Sequence, residues 1–392
     1  MQVSVIIVNY NVSAFLQLCL DSVTKALKPI KGEIIVVDNH SSDESCAMVK
    51  QYFPEVKLIE NKTNVGFGKA NNQGVAQAQG DYILILNPDT IIPENTFILL
   101  LNFAKSQTQL GAVGTALYDG TGTFLPESKR NIPTPKVAFN KLLGKDRSYY
   151  NSNLKENDTG EVEILVGAFM FLKRSNYEQV GGFDERYFMF GEDIDLSYTL
   201  LQNGLKNFYF PKFKVIHFKG ESSVKDEKYL NNFYGAMDLF YDKYFKQNFI
   251  FEVISKSGIE VFKFLQKLEK KNSSTIQKDY KNVLYVGSES PVYDALVKFY
   301  NSAQTHIYAV CETRTISKYD DLERLKTLIK EKNIDHIVFD SQNNSFEKII
   351  FYITQLKGIT QNLTYDIRIT DTNLIIGSHH KNEMGHVEQL EL

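Results

Sequence analysis

Apolar runs separated by helix-period segments dominate the first third of the chain. Val3–Val8 is apolar except for Ser4 and predicts a buried strand. Ala14–Lys25 predicts a helix, with Ser13 as its N-cap. Glu33–Asp38 is a second strand, Asp43–Phe53 a helix and Val56–Glu60 a third strand. Asn71–Gln79 is helical and Gly80 stops it, and Tyr82–Leu86 is a fourth strand that runs into Asn87-Pro88-Asp89. Continuous apolar strands alternating with helices point to an α/β fold with a mostly parallel sheet. Ligands of such sheets bind beyond the carboxyl ends of the strands. Asn9, Asp38 and Asp89 all fall there.

Periodicity weakens over about 112–165, where Gly, Pro, Asn and Lys cluster; the expectation is a long loop region over the sheet. Ile164–Leu172 restores a strand, Gly191-Glu192-Asp193-Ile194-Asp195 leads into a helix, and Phe208–Phe218 alternates like a strand and carries His217. Leu230, Phe233, Tyr234, Met237, Phe240, Tyr241 and Tyr244 repeat at helical spacing, which we read as core packing. Residues 1–246 therefore form one domain. In 247–279, Ile254, Val261, Leu265 and Leu268 share a helical face, and Lys256, Lys263, Lys267 and Lys270 lie about 200° round from it. Such a helix either packs between domains with its lysines solvated or lies on an anionic bilayer surface through 249–271. Lys271-Asn272-Ser273-Ser274 reads as a linker. The strand–helix alternation then restarts, so 280–392 is a second, smaller Rossmann-like α/β unit.

At roughly 150 residues per domain, 392 residues suit two or three domains. A net charge of −3 argues against a nucleic-acid binder, which needs a basic surplus. Cys19, Cys46 and Cys311 lie far apart and form no C-x-x-C, which excludes a zinc knuckle or disulfide framework on spacing. No basic stretch precedes Val3–Val8 and no apolar run is long enough to span a bilayer. The expected location is cytoplasmic, with peripheral attachment to the inner membrane left open by 249–271.

Gly66-Phe67-Gly68-Lys69-Ala70-Asn71 lacks the third glycine of a dinucleotide fingerprint and follows the third strand rather than the first, so a nicotinamide enzyme is not expected. The carboxylates are more informative. Asp38 suits a base edge or ribose hydroxyl, or simply a turn. Asn87-Pro88-Asp89 sets a hard oxygen at a strand end, beside a rigid proline; a cation on a diphosphate needs only one or two protein carboxylates. An ordinary Pro-Asp turn is the alternative. Glu192, Asp193 and Asp195 suit a helix N-terminus electrostatically, yet crowded carboxylates also tune a general base. His217 alone would more often be structural.

The order of the fragments adds what none carries singly. Val5-Ile6-Ile7-Val8-Asn9-Tyr10-Asn11, Val36-Val37-Asp38-Asn39-x-Ser41-x-Asp43, Asn64-x-Gly66-Phe67, Asn87-Pro88-Asp89, Gly181-Gly182-Phe183-Asp184-Glu185, Glu192-Asp193-x-Asp195 and His217 follow one another over residues 1–245. This series resembles the family 2 glycosyltransferases of the GT-A fold, in particular their rhamnosyltransferase-like branch. The resemblance implies that Tyr10 and Asp38 contact the nucleotide, with Asn9 and Gly66 lining that pocket. It implies that Asp89 stands at the last Asp of the family's D-x-D motif, with Asn87 at the first. His217 matches the late metal-binding His of the branch, Asp193 the general base and Glu192 its neighbour. Gly167-Ala168 and Gly182 resemble acceptor-side wall positions.

The implied activity is inverting transfer of one sugar, rhamnose being the branch's example, from a nucleoside-diphosphate donor to a glycan or lipid-linked acceptor in cell-surface polysaccharide synthesis. Mn²⁺ or Mg²⁺ is the implied cofactor. The sequence departs from the pattern at Thr199, where an Arg is frequent. It contains no Trp, so the Q-x-x-R-W motif of processive synthases cannot occur. Two other functions compete. A sugar nucleotidylyltransferase would carry a basic glycine-rich loop near the N-terminus, and residues 1–15 contain no Lys or Arg. A non-catalytic sugar-nucleotide-binding scaffold would not need Asp193 and His217.

Overall fold

The computed structural model describes residues 1–142, 144–219, 227–245, 280–288, 291–300, 305–310, 318–360, 363–378 and 385–391. The amphipathic segment 249–271 lies outside the described residues.

The first sheet has nine strands: β1 Val3–Asn9, β2 Gly32–Asp38, β3 Lys57–Glu60, β4 Tyr82–Leu86, β5 Thr90–Ile91, β6 Leu110–Tyr118, β7 Gly160–Val162, β8 Phe169–Lys173 and β9 Lys206–His217. Their order is β3-β2-β1-β4-β8-β6-β9-β5, with β7 also paired to β9. The β3-β2-β1-β4 half is parallel, as the apolar runs predict, and its register pairs Asn9 with Asp38. β8 runs antiparallel to both β4 and β6, and β5 antiparallel to β9. Every residue of β1 is buried, because helices cover both faces of the sheet.

The helices of this unit are α1 Ser13–Leu27, α2 Ser45–Tyr52, α3 Phe67–Val75, α4 Thr96–Ser106, α5 Pro135–Leu142, α6 Arg174–Gln179, α7 Glu192–Gln202 and α8 Glu227–Tyr244. Ser13 does not cap α1; it is the first helical residue, and its N–H donates to Asp43 Oδ2 at 2.9 Å. The capping oxygen comes from across the sheet edge, which local sequence does not reveal. On α8, Phe240 and Tyr241 are buried against Ala138 of α5, with Met237 and Tyr244 packed alongside, as the aromatic spacing predicts, whereas Phe233, expected in the same stripe, is exposed.

The expected long loop over 112–165 needs correction. Its first part is β6, a strand buried at all nine positions. Its signal is diluted by glycines that the packing requires. A Cβ on Gly114 would lie 2.6 Å from the Leu165 side chain, and one on Gly111 2.6 Å from that of Asn207.

The second sheet has six strands: β10 Asn282–Val286, β11 His306–Val310, β12 His336–Asp340, β13 Thr364–Arg368, β14 Leu374–Gly377 and β15 His386–Gln389. Their order is β11-β10-β12-β13-β14-β15, parallel through β13 and antiparallel after it. Helices Pro291–Tyr300, Lys318–Glu331 and Phe346–Leu356 accompany it. Among the described residues, no helix is long and apolar enough to cross a membrane.

Candidate active site

The carboxyl ends of β1, β4 and β9 converge on one cavity of about 310 Å³. Tyr10, Gly66, Asn87, Asp89, Glu192, Asp193 and His217 all line it, from segments spread over more than half of the chain. Gly167 and Ala168 line it as well, whereas Gly182 is not part of its wall.

Asn9 and Asp38 stand behind the wall. Asn9 is fully buried and Asp38 is 3% exposed. Asn9 Nδ2 donates to Asp38 Oδ1 at 2.8 Å, and the Ser41 N–H donates to Asp38 Oδ2 at 2.8 Å. Both carboxylate oxygens thus order the turn after β2. The lining at this end comes from Tyr10, Asn39 and Asn64. Asn39 Nδ2 donates to Asn64 Oδ1 at 2.8 Å, and Asn39 Oδ1 accepts from Val65 N at 3.0 Å. Gly66 follows with φ 90° and ψ 165°, a region essentially restricted to glycine. A Cβ there would lie 2.6 Å from the Phe188 carbonyl oxygen, which accepts the Phe67 N–H at 2.9 Å. This close approach joins the loop after β3 to the segment leading into α7.

Asp89 and His217 are brought together by the β5–β9 pairing, in which Thr90 lies opposite His217. His217 Nε2 is 3.3 Å from Asp89 Oδ1 and 3.3 Å from Asn87 Nδ2. Asp89 Oδ2 accepts the Lys219 N–H at 3.2 Å. Asn87 Oδ1, Asp89 Oδ1 and His217 Nδ1 are buried without a hydrogen-bond partner. Such orphaned atoms are costly unless something completes them. A hard carboxylate oxygen, an amide oxygen and an imidazole suit a divalent cation whose remaining ligands come from phosphate and water. Among the described residues, no group of three or more His, Cys, Asp or Glu forms a self-sufficient metal cage.

The acids of α7 are separated by environment. Phe190 and Gly191 both take positive φ, 71° and 77°, and turn the chain so that α7 begins at the cavity. Asp193 Oδ2 accepts from Arg130 Nη2 at 2.8 Å and from Gly167 N at 2.9 Å, while Oδ1 accepts from Ile194 N at 2.8 Å. Among the described residues Glu192 has no ion-pair partner, and its Oε2 is buried without a hydrogen-bond partner. Burial, then the neighbouring Asp193 charge, pushes the Glu192 carboxyl up to about 8. Asp195 plays a different part: Lys243 Nζ donates to its two oxygens at 2.8 and 3.0 Å, and Tyr244 OH at 2.9 Å. Lys243 also reaches Asp184 at 2.9 Å, so α8 supplies a cation to the acid cluster, which Thr199 does not. Sequence reasoning missed Arg130, Lys219 and Lys243. Each sits in a weakly patterned loop or on a helix read only for its apolar face.

Comparison with known proteins identifies the family. The family profile Glycosyl transferase family 2 matches residues 4–181. The rhamnosyltransferase WbbL of Escherichia coli (strain K12) is 30% identical over 213 residues, covering 50% of this chain and 79% of that protein. The chain belongs to glycosyltransferase family 2. The N-acetylglucosaminyl-diphospho-decaprenol L-rhamnosyltransferase of Mycobacterium tuberculosis is 29% identical over 240 residues, covering 57% of this chain and 78% of that one. A mannosyltransferase from Pyrobaculum calidifontis, solved with GDP-Man and Mn²⁺, overlays with a TM-score of 0.46 at 17% identity, covering 69% of this chain and 76% of that one. By the family match and the two named sequence relatives, the protein is a glycosyltransferase with rhamnosyltransferase relatives. The profile ends before α7 and His217, so the roles of those residues rest on geometry.

Two outcomes follow from these contacts. Gly66→Ala should cost about 2 kcal/mol or more, because backbone strain and the Phe188 clash add; a denaturant midpoint equal to the parent's would contradict the close approach. Glu192 holds its proton more tightly when folded, about 8 against 4.5. The stability that it contributes is present below 4.5 and is lost as pH rises through about 8. Glu192→Gln lacks that loss, so its melting temperature relative to the parent should climb from pH 5 to pH 8. A constant difference across that range would show that Glu192 is not held protonated.

Proposed function

We propose that the protein transfers a single sugar from a nucleoside-diphosphate donor to a hydroxyl of a glycan or lipid-linked acceptor with inversion at the anomeric carbon. The observation carrying this is the joining, in one cavity, of an orphaned Asp89–His217–Asn87 group with the Glu192–Asp193 pair. The nucleotide lies at the Tyr10, Asn39, Asn64 and Gly66 end, where Asn9 and Asp38 hold the loops in place. Asp89 and His217, with Asn87 beside them, would hold Mn²⁺ or Mg²⁺; bound there, the cation offsets negative charge on the leaving diphosphate. Lys219 lines the same edge of the cavity, with its ammonium paired to Glu127 and its backbone N–H on Asp89.

Asp193 is the base. Its three donors use three of about four lone-pair directions, leaving one direction for an acceptor O–H. As the acceptor oxygen bonds to the anomeric carbon, the bond from that carbon to the diphosphate oxygen breaks and Asp193 takes the hydroxyl proton. No covalent sugar intermediate is needed, and burial pushes the Cys19 thiol up to about 12, which removes it as a nucleophile.

Rhamnose as the transferred sugar, and a polyprenyl-diphosphate-linked acceptor, are supported by the relatives' names. Absence of Trp, and hence of Q-x-x-R-W, supports transfer of one sugar per encounter. A lipid-linked acceptor would place the protein on the cytoplasmic face of a membrane, where 249–271 would provide the contact. The domain limits consistent with this are 1–246 for transfer and 280–392 for the second unit, joined by 247–279.

Incubation with a panel of nucleotide sugars and Mn²⁺, followed by nucleoside diphosphate release, tests the assignment. Excess chelator should abolish release, and Asp89→Ala should remove most of it; full activity in chelator would refute the metal site. Asp193→Asn should lower turnover by about 10²-fold while donor binding survives. Near-parental turnover would transfer the role to Glu192, whose rate would then rise with pH through about 8.

A further inference from the structure

Helix Phe346–Leu356 of the second unit packs behind the two segments that carry Asp89 and His217. Glu94 lies shortly after β5. Its Oε1 accepts the Phe346 N–H at 2.8 Å and its Oε2 the Glu347 N–H at 2.9 Å. One carboxylate thus satisfies two of the helix's initial N–H groups and meets its positive end. Lys214, three residues before His217 on β9, donates to Thr354 Oγ1 at 3.3 Å. The turn after β6 reaches the same helix: Lys357 pairs with Thr123, and a side chain on Gly122 would strike the Ile353 carbonyl. Ile216 and Phe218, flanking His217, share one apolar cluster with Ile349, Ile350 and Ile353.

At the neighbouring strand ends, Lys25 Nζ donates to the Ser341 carbonyl at 2.9 Å and to Thr370 Oγ1 at 3.2 Å, and lies 4.7 Å from the Phe346 ring centroid. Open α/β sheets bind ligands beyond their strand ends, and anions favour helix N-termini. Here α1 and Glu94 occupy both positions.

We propose that helix Phe346–Leu356 of the second unit buttresses the Asp89–His217 site, with Glu94 as the positioning residue that locks β5 onto β9. β5 has two residues and cannot hold its register on ladder hydrogen bonds alone; the helix behind it fixes the separation of the two side chains. The proposal rests on the metal-site assignment made above for Asp89 and His217.

The test uses the full chain. Glu94→Ala, Glu94→Gln and Thr354→Val are compared with the parent and with a control, Lys326→Gln, whose Glu323 pair lies on an outer helix. Amide hydrogen exchange is read on peptides covering 87–94 and 210–219. Glu94→Ala should exchange there about tenfold faster, Glu94→Gln should fall between it and the parent, and the control should match the parent. In transfer assays the half-saturating Mn²⁺ concentration should rise about fivefold, with turnover at saturating Mn²⁺ within about twofold of the parent. Unchanged exchange in β5 and β9, with faster exchange confined to 343–356, would overturn the proposal. If Glu94→Ala fails to fold, exchange in the other two variants decides. The exchange measurement needs no turnover, so it stands apart from any failure of the transferase assignment.

Discussion

The two-residue pairing of β5 with β9 sets Thr90 opposite His217 and thereby puts Asp89 against the imidazole. Nothing local makes so short a strand persist. Its support is distributed: the Phe218 N–H donates to the Asp89 carbonyl at 3.0 Å, Thr90 Oγ1 donates to the Asn87 carbonyl at 2.8 Å, and the Asn87 N–H donates to the Ala168 carbonyl at 3.0 Å. The last bond ties the turn after β4 to the segment entering β8. Pro88 stiffens this turn. Backbone bonds hold this turn, and His217 Nε2 adds contacts of 3.3 Å to Asn87 Nδ2 and to Asp89 Oδ1.

The second constraint is charge burial. Glu192 and Asp193 are adjacent and both buried, so two full negative charges side by side would be expensive. The structure separates them. Asp193 receives the Arg130 guanidinium and two backbone N–H groups, whereas Glu192 has no ion-pair partner among the described residues and burial pushes its carboxyl up. Arg130 also donates to the Leu165 carbonyl, so the cation is anchored independently of the acid it serves. Neighbouring carboxyls are thus given unlike environments, one hydrogen-bonded and paired, the other dry.

Much of this was legible in the sequence because strand ends in a parallel sheet are where chemistry gathers. The apolar runs located β1, β2 and β4, and with them Asn9, Asp38 and Asp89. The alternation of Phe208–Phe218 located β9 and His217. Less legible was whatever depended on partners distant in the chain. β6 was hidden because Gly111 and Gly114, demanded by Asn207 and Leu165, broke its apolar signal. β14 and β15 are short antiparallel additions beyond the alternating pattern. Ser13 matched the composition of an N-cap, yet the capping oxygen is Asp43, 30 residues on. Asp38 matched a ligand contact in type and place, but its two oxygens are engaged in the turn that carries Asn39 into the cavity.

The departure at Thr199 shows how geometry restores what a motif omits. An Arg one turn along α7 would face Asp195 on the same helix surface. Thr199 instead donates its hydroxyl to the Asp195 carbonyl at 2.8 Å and bonds Tyr244 at 2.9 Å, while Lys243 reaches Asp195 and Asp184 from α8. Charge compensation is preserved, but it now comes from a helix 48 residues away. That exchange couples α8 to the acid cluster. It also ties α8 to Asp184, which follows the Gly181-Gly182 turn. The position of α8 becomes part of the wall behind Glu192 and Asp193, which an arginine within α7 would not require.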